Sequence, residues 1–409
     1  MKKRFLSLIF FSVFLISCIP IHENTVNNKI ITKANKIHND VLTLDTHVDT
    51  PFRLLNQEFD IYMKNNPVKT HSKIDFPRMK EGGLDAAFFA VFVGQGERAI
   101  EANIRAKEKA LSIFNIIYEK IAENPEIAEI ALTPADAYRL EKEGKKAIYI
   151  GMENGYPIGT TVDNIKEFYD LGARYITLCH TSNNEICDSA TDTLEHNGLS
   201  DFGEQVVTKM NDLGMIIDIS HVSDKSFYDI IELSKAPVIA SHSCSRTVCD
   251  NPRNLTDDML KKLSENGGVI QMCILSNYVK IIEQDSSRIK ARKALREKYN
   301  NWNDLSYEMQ QKAYGEWNAI DETHPPILAT VSDAVDHIDH IVDVAGINHV
   351  GIGTDFDGGG GLKDCFDVSQ IRNITIELVK RGYANKDIEK IWGGNFMRVF
   401  NEVQQLVEK

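Results

Sequence analysis

Residues able to bind a metal or transfer a proton stand at the ends of apolar segments in this 409-residue chain. The segments are short and rich in Val, Ile and Ala, and the residues at their ends are His47, Asp49, Glu153, His180, His221, His242 and Asp355. His47 and Asp49 are two positions apart, so on a strand their side chains project to the same side and can bind one ion. Imidazole and carboxylate ligands without thiolate suit Zn²⁺, and also Mn²⁺ or Fe²⁺.

The number of these candidate ligands is itself informative. Any one His is more often a buried structural residue than a metal ligand, but such a set at successive strand ends is not expected by chance. The set also exceeds what one catalytic zinc ion needs. A carboxylate that joined two ions about 3.5–4 Å apart would use all the ligands. The count therefore indicates a hydrolase with two metal ions.

Strands that alternate with helices must position these residues. The predicted strands cover residues 41–49, 84–93, 147–153, 175–180, 215–221, 238–242, 269–273 and 350–355. Their nearly continuous apolarity is typical of parallel strands that are buried on both faces. The alternation predicts an α/β fold, a (β/α)₈ TIM-like barrel, with an open doubly wound sheet as the alternative. In a barrel, the polar strand ends would meet on the face where such enzymes keep their active sites.

Residues 277–328 interrupt this alternation with a charged stretch that contains Trp. We expect them to form a helical insertion between the seventh and eighth strands of the barrel.

Composition excludes several classes of protein. The chain is 43% hydrophobic and 26% charged, which is ordinary for a globular protein and excludes wholesale disorder or a fibrous fold. Its formal net charge is −13, and a surface of this sign repels phosphate backbones. Nucleic acid is therefore not an expected partner.

The amino-terminal residues predict export. A basic start precedes a short apolar run over residues 5–16, which is too short to span a bilayer as a helix and is typical of a signal peptide. Residues 15–18, Leu-Ile-Ser-Cys, resemble the bacterial lipobox, which would place a lipid on Cys18. We therefore expect a signal peptide over residues 1–17, a lipidated tether over residues 18–40 and the hydrolase barrel over residues 41–409. The protein would be exported and lipid-anchored to a bacterial membrane.

From about Val41 to the carboxyl terminus, the chain resembles the renal (membrane) dipeptidase family of dizinc peptidases. A single His-x-Asp motif would be weak, but here an ordered set of motifs carries the resemblance. The set comprises residues 45–49 (DTHVD), 151–153 (GME), 177–180 (TLCH), 198–200 (GLS), 218–223 (DISHVS), 241–243 (SHS), 253–258 (RNLTDD) and 353–358 (GTDFDG).

The resemblance implies a role for each site residue. His47 and Asp49 would bind one zinc ion, His221 and His242 would bind the other, and Glu153 would bridge the two. A water or hydroxide between the ions would attack the peptide bond of a dipeptide. Asp355 would act as acid/base, and His180 would contact the substrate and stabilise the oxyanion. Arg253 would pair with the free carboxylate of the dipeptide. Dimeric members of the family make a homodimer the expected assembly.

Two other functions remain open from the residues alone. One is a metal-dependent amidohydrolase that acts on other small amides, such as N-acyl amino acids. The other is a non-catalytic lipoprotein that binds peptides for uptake, although a pure binder has no use for an activated water or for Asp355.

Overall fold

A computed structural model describes residues 19–56, 58–299 and 305–407. The predicted signal peptide and the candidate lipidation residue Cys18 lie outside the described residues. Within the described residues, no helix is both long and apolar enough to cross a membrane.

The predicted (β/α)₈ barrel is confirmed, and the open sheet is wrong. All strands in the barrel pair in parallel, in the order β1-β2-β4-β5-β6-β7-β8-β9. The ring closes at its carboxyl end, where the backbone N–H of Asp355 donates to the His47 carbonyl over 3.0 Å. Next to this bond, the Asp49 N–H donates to the Phe356 carbonyl over 2.8 Å. The strands are β1 Leu44–Val48, β2 Ala86–Phe92, β3 Ala128–Ile130, β4 Lys146–Glu153, β5 Ala173–Thr177, β6 Ile216–Asp218, β7 Ile239–Ser243, β8 Val269–Met272 and β9 Val350–Ile352.

Strand β3, Ala128–Ile130, was not predicted. It pairs with Lys146–Ile148 at the start of β4, whereas the pairing of β4 with β5 begins only at Ile150. β3 therefore occupies an edge position beside the barrel. Three residues are too few to produce a recognisable hydrophobic pattern.

Helices surround the barrel, and most follow a strand. Several begin at a Ser or Thr whose side chain accepts a hydrogen bond from the first turn, as at Ser200, Ser223, Thr256 and Thr330. The helices are α1 Ile19–Asp40, α2 Thr50–Leu54, α3 Pro67–Thr70, α4 Phe76–Gly82, α5 Ile100–Ala122, α6 Pro134–Lys142, α7 Asp163–Asp170, α8 Asp201–Leu213, α9 Asp224–Leu233, α10 Asp257–Glu265, α11 Ser276–Val279, α12 Ser286–Lys298, α13 Tyr307–Thr323, α14 Val331–Ala345, α15 Arg372–Lys380, α16 Asn385–Glu389 and α17 Asn395–Gln405.

The interior of the barrel is apolar at its amino-terminal end. Inward-facing strand residues such as Phe88 form one buried cluster with Phe396 and Phe400 of α17, so the last helix closes this end. A second, larger cluster fills the space between the strands and the surrounding helices. Polar chemistry is therefore confined to the opposite, carboxyl-terminal end of the barrel.

The amino-terminal boundary differs from the expectation. Residues 18–40 were expected to form a tether, but the structure has a helix over Ile19–Asp40, and this helix packs on α15. Ile37 and His38 lie one helical turn after Ala34, and all three are buried. Three well-placed side chains are enough to bind this end of the helix to the barrel, although the composition of the segment is polar and without a clear period.

The insertion is helical, as expected. α12 and α13 pack against each other through a small cluster of their own, formed by Leu295, Tyr299 and Ala313. α13 also contacts α2, because the Tyr314 and Phe52 rings are 4.9 Å apart. This contact brings the insertion to the carboxyl-terminal face of the barrel, immediately after Asp49.

Candidate metal centre

The barrel brings all the predicted metal-binding and catalytic residues together at its carboxyl-terminal end. His47 and His242 lie within strands β1 and β7, and Glu153 is the last residue of β4. The remaining members follow strand ends: Asp49 after β1, His180 after β5, His221 after β6 and Asp355 after β9. All are buried except His180, which is partly exposed. A buried group of this size must be hydrogen-bonded or bind an ion.

Glu153 lies at the centre of this group, and its two oxygens face different histidines. Oε2 is 3.6 Å from Nε2 of His47, while Oε1 is 3.2 Å from Nε2 of His221 and 3.5 Å from Nε2 of His242. Asp49 lies on the His47 side, with Oδ2 at 3.6 Å from Nε2. One carboxylate between two groups of ligands is the arrangement that bridges a pair of ions.

The spacing of these atoms fits a metal better than hydrogen bonds. Two ligand atoms at roughly 2.1 Å from one tetrahedral ion are about 3.4 Å apart. The Nε2 of His47 is buried and has no hydrogen-bond partner among the described residues. The exception is the pair of Nε2 atoms of His221 and His242, which are 2.8 Å apart and so within hydrogen-bond distance. Three sets of residues offer donor atoms within 4.8 Å of one another. They are His47, Glu153 and His242; Glu153, His180 and His221; and His47, Asp49 and Asp355. The residues present therefore fit bound divalent metal.

Burial and mutual charge set the protonation of the site. Burial lowers the pKa of both His221 and His242 well below the usual value, which keeps each imidazole neutral and able to coordinate. Burial opposes ionisation of Glu153, but the imidazoles of His47 and His180 outweigh it and hold the pKa of this carboxyl well below its usual range. Glu153 is thus an anion at the centre of the group.

Asp355 behaves in the opposite way. Burial, together with the nearby carboxylates of Asp49 and Glu153, raises the pKa of Asp355 well above its usual value. Nothing in the spacing of sequence motifs indicates this shift, because it depends on three carboxylates from different strands meeting in one place. A carboxyl group with a raised pKa is suited to accept and return a proton.

The backbone around the site adopts conformations that side chains usually avoid. Asn154, His221, Asp355 and Asp357 all have positive φ, between 61° and 76°. After Asp355, the chain returns so closely that a Cβ on Gly358 would lie 2.0 Å from Oδ2 of Asp49. Only glycine fits there, so Gly358 lets the chain turn back beside Asp49.

His180 and Arg253 lie beside the central group. The Nε2 of His180 is 3.6 Å from Oε1 of Glu153, and its ring contacts Phe92 edge-on at 4.8 Å. Arg253 is 4% exposed, and its Nη2 donates weakly to the His242 carbonyl over 3.4 Å. Its Nε has no hydrogen-bond partner in the part of the chain that the structure describes. A substrate carboxylate would satisfy this guanidinium.

Sequence reasoning missed several residues that support the site. One is Tyr278, whose ring centroid lies 5.2 Å from the Arg253 guanidinium carbon. Asp218 accepts a hydrogen bond from the Ser241 hydroxyl over 2.6 Å, and that hydroxyl is 2.8 Å from Nδ1 of His242. Because the Ser241 hydroxyl donates its proton to Asp218, it accepts a hydrogen bond from Nδ1–H of His242. The Nε2 of His242 then carries the lone pair that can bind a metal. Asp218 is far from Ser241 and His242 in the sequence, so no local motif indicates this chain of hydrogen bonds.

The chain is similar in sequence to a known family over most of its length. A sequence model of the family described as membrane dipeptidase, Peptidase family M19, matches residues 31–409. The match begins inside α1, which agrees with the packed carboxyl-terminal part of that helix.

Individual relatives are dipeptidases by name. The chain is 31% identical to Dipeptidase 3 of Mus musculus over 390 residues, covering 92% of this chain and 67% of the relative. It is 29% identical to Dipeptidase ataJ of Aspergillus terreus over 408 residues, covering 93% and 88%. A solved structure, the probable dipeptidase PvdM from Pseudomonas aeruginosa, superposes with a TM-score of 0.79 at 30% identity and covers 93% of this chain and 99% of that one.

Proposed function

Because the chain belongs to the membrane dipeptidase family, Peptidase family M19, we propose that it is a zinc-dependent dipeptidase that hydrolyses the single peptide bond of dipeptides. The observation that carries the proposal is Glu153, whose two oxygens face separate groups of metal ligands. Family membership does not favour the amidohydrolase for N-acyl amino acids or a non-catalytic peptide binder.

His47 and Asp49 would hold one zinc ion, and His221 and His242 the other, with Glu153 shared between them. When bound, the two ions supply Lewis acidity, which lowers the pKa of a water molecule towards neutrality and polarises the scissile carbonyl. Neutral His221 and His242 and ionised Glu153 are the forms that this role requires.

The chain's own residues then handle protons and charge. Asp355 takes the proton from the attacking water and passes it to the leaving amine, for which its raised pKa is suited. His180 lies next to Glu153 and stabilises the negative charge that develops on the carbonyl oxygen. Arg253 binds the substrate carboxylate, one residue beyond the cleaved bond, and thereby favours dipeptides over longer chains.

A substrate panel tests this function. Protein lacking residues 1–18 is offered dipeptides, tripeptides and N-acyl amino acids, first as purified, then after chelation and then after zinc is restored. We expect cleavage confined to dipeptides, lost on chelation and regained with zinc. Turnover of N-acyl amino acids in preference to dipeptides would overturn the proposal, and so would full activity after complete removal of metal.

We propose in addition that the protein is exported and anchored to a bacterial membrane through a lipid on Cys18, and that it forms a homodimer. The basic start, the short apolar run and residues 15–18 support the anchor, and the resemblance to dimeric family members supports the assembly. Labelling with a radioactive fatty acid should mark the full chain but not its Cys18→Ala variant. Equal labelling of both would exclude this anchor, and sedimentation of the purified protein as a monomer would exclude the dimer.

A further inference from the structure

Tyr175 reaches across the interior of the barrel to one of the candidate metal ligands. It lies in the middle of β5, is fully buried, and its hydroxyl is 2.9 Å from Nδ1 of His47 on β1. The same hydroxyl donates to the backbone carbonyl of Thr46 over 3.1 Å. β5 and β1 are not neighbours in the barrel, so this contact exists only because the side chain spans the interior.

The hydrogen bonds of the hydroxyl determine where the His47 proton lies. A phenol has one proton to donate, and the Thr46 carbonyl can only accept. The hydroxyl must therefore accept from His47, which places the imidazole proton on Nδ1. The lone pair of His47 is then on Nε2, the atom that faces Asp49 and Glu153 at 3.6 Å and is otherwise unpaired within the described chain.

The neighbouring strands leave room for this ring. Gly151 on β4 pairs with Tyr175, and a Cβ at Gly151 would lie 2.1 Å from Cζ of the ring. On another side, the Tyr175 ring stacks on Phe88 with 5.2 Å between centroids. The phenol is therefore held in one orientation by packing, and its hydroxyl has a fixed position relative to His47.

We propose that Tyr175 is a positioning residue for the metal centre: its hydroxyl fixes the tautomer and orientation of His47 and so raises the metal affinity of the His47–Asp49 half of the site. This inference rests on the metal ligands of the proposed function. The other half has a different support, because Ser241 backed by Asp218 holds His242. Removing the Tyr175 hydroxyl should therefore weaken one of two zinc sites and leave the second nearly unchanged.

Tyr149 provides a matched control. Its ring also stacks on Phe88, at 4.8 Å, and it is fully buried one strand away from Tyr175. Its hydroxyl donates to the Thr133 carbonyl over 2.7 Å and touches no candidate ligand. Tyr149→Phe and Tyr175→Phe thus each remove one buried hydroxyl from the same aromatic cluster.

The test titrates zinc into the metal-free full chain of the wild type, Tyr175→Phe and Tyr149→Phe, in competition with a chelator of known affinity. We expect Tyr175→Phe to weaken one of the two zinc equivalents by about 10- to 100-fold, and Tyr149→Phe to leave both within about twofold of the wild type. Thermal unfolding of the three metal-free proteins measures the purely structural cost of each change.

Wild-type affinity of both equivalents in Tyr175→Phe would overturn the inference, as would equal weakening in the two variants. These results are separate from a failure of the proposed function, because zinc binding is measured without substrate. A wild type that binds two zinc ions but cleaves no dipeptide would overturn the proposed reaction and leave the role of Tyr175 intact. A wild type that binds no zinc would overturn both.

Discussion

Asp355 is a buried carboxylate that lies beside two others. Its neighbours Asp49 and Glu153 face the imidazoles. The pKa of Asp355 is raised, which favours exchange of a proton. His47, Asp49 and Asp355 also offer donor atoms within 4.8 Å of one another. Proton transfer and metal binding are thus both compatible with its position, and the two roles predict different results when the carboxylate is removed.

We predict that Asp355→Asn lowers kcat for dipeptides by about 100- to 10,000-fold, the range expected when a proton-transfer group is lost. Zinc content should stay at the wild-type value, because the amide cannot transfer the proton but the remaining ligands are intact. Steady-state kinetics and metal analysis on the same preparation measure the two quantities. Asp357→Asn is the control in the same loop, because that carboxylate accepts from Thr50 and from the Lys73 backbone. Loss of zinc in Asp355→Asn would make Asp355 a ligand instead.

Arg253 is expected to act through the geometry of its guanidinium as well as its charge. Arg253→Lys keeps the charge but loses the paired donors, so we predict that KM for dipeptides rises about 10- to 100-fold while kcat changes less. Dipeptide amides, which lack the carboxylate, provide the control substrate. If the variant impairs dipeptides and their amides equally, Arg253 does not bind the carboxylate.

Two elements lie outside the regular βα units. The helical insertion packs next to the site, and α1 packs on the outside of the barrel. α13 of the insertion packs on α2 through Tyr314, Phe52 and Arg53, immediately after Asp49. Burial raises the pKa of Tyr314, and the carboxylates of Asp49 and Glu153 act in the same direction. The insertion therefore lies against the segment that follows Asp49.

We predict that Tyr314→Ala relaxes the preference for short substrates, because removing this ring opens space next to the segment that follows Asp49. The ratio of kcat/KM for tripeptides to kcat/KM for dipeptides should rise about 10-fold or more. Lys312→Ala is the matched control, because Lys312 lies on the same helix and is exposed. An unchanged ratio in Tyr314→Ala would show that the insertion does not limit substrate length.

The packed end of α1 depends on a neutral histidine. His38 donates from Nε2 to the Gly82 carbonyl over 3.0 Å and accepts at Nδ1 from Thr375, whose hydroxyl also accepts from Trp392. Burial, followed by the charge of Arg372, lowers the pKa of His38 from 6.5 to about 4. Between these two values the unfolded chain binds a proton that the folded chain does not, so stability falls as the pH falls.

We predict that lowering the pH from 7 to 5 costs the metal-free wild type about 2 kcal/mol more free energy of unfolding than it costs His38→Gln, which cannot titrate. Urea unfolding of both proteins at the two pH values measures this difference. Comparing the pH dependence, and not the stability itself, removes any constant cost of the substitution. Equal losses in the two proteins would contradict the lowered pKa.

Over the full barrel, the candidate metal ligands tie distant strands together. They come from β1, β4, β6 and β7, so a bound ion links segments that are separated by many residues and by other strands. A ligand that binds only the folded chain stabilises it by an amount that grows with the logarithm of the ratio of its concentration to the dissociation constant.

We predict that zinc at about 100 times its dissociation constant raises the free energy of unfolding by about 2.7 kcal/mol per site, and that chelation reverses this gain. Denaturant unfolding with zinc and with chelator measures the effect. Glu153→Ala removes the shared ligand, so its stability should respond much less to zinc. A wild type whose stability is the same with zinc and with chelator would contradict a metal site that spans these strands.

Much of the architecture could be predicted from local patterns. Short apolar segments predicted the eight strands of the barrel, because buried parallel strands are apolar on both faces. The polar residues that end those segments converge, as a barrel requires. β3 and the helix over Ile19–Asp40 were not predicted, because β3 is too short to show a period and α1 is stabilised by partners on α4 and α15 that are distant in the sequence.

The metal-ligand residue types, their order along the chain and the barrel that carries them follow from the amino-acid sequence, because strand period and strand termination are local properties. The division of the ligands into two groups around Glu153 needed the folded chain. The folded chain was also needed for the raised pKa of Asp355, for the contact of Tyr314 with Phe52 and for the contact between Tyr175 and His47. These features depend on distances between side chains from non-neighbouring strands and an inserted helix. Such distances are set by barrel closure and close packing, which no local pattern records.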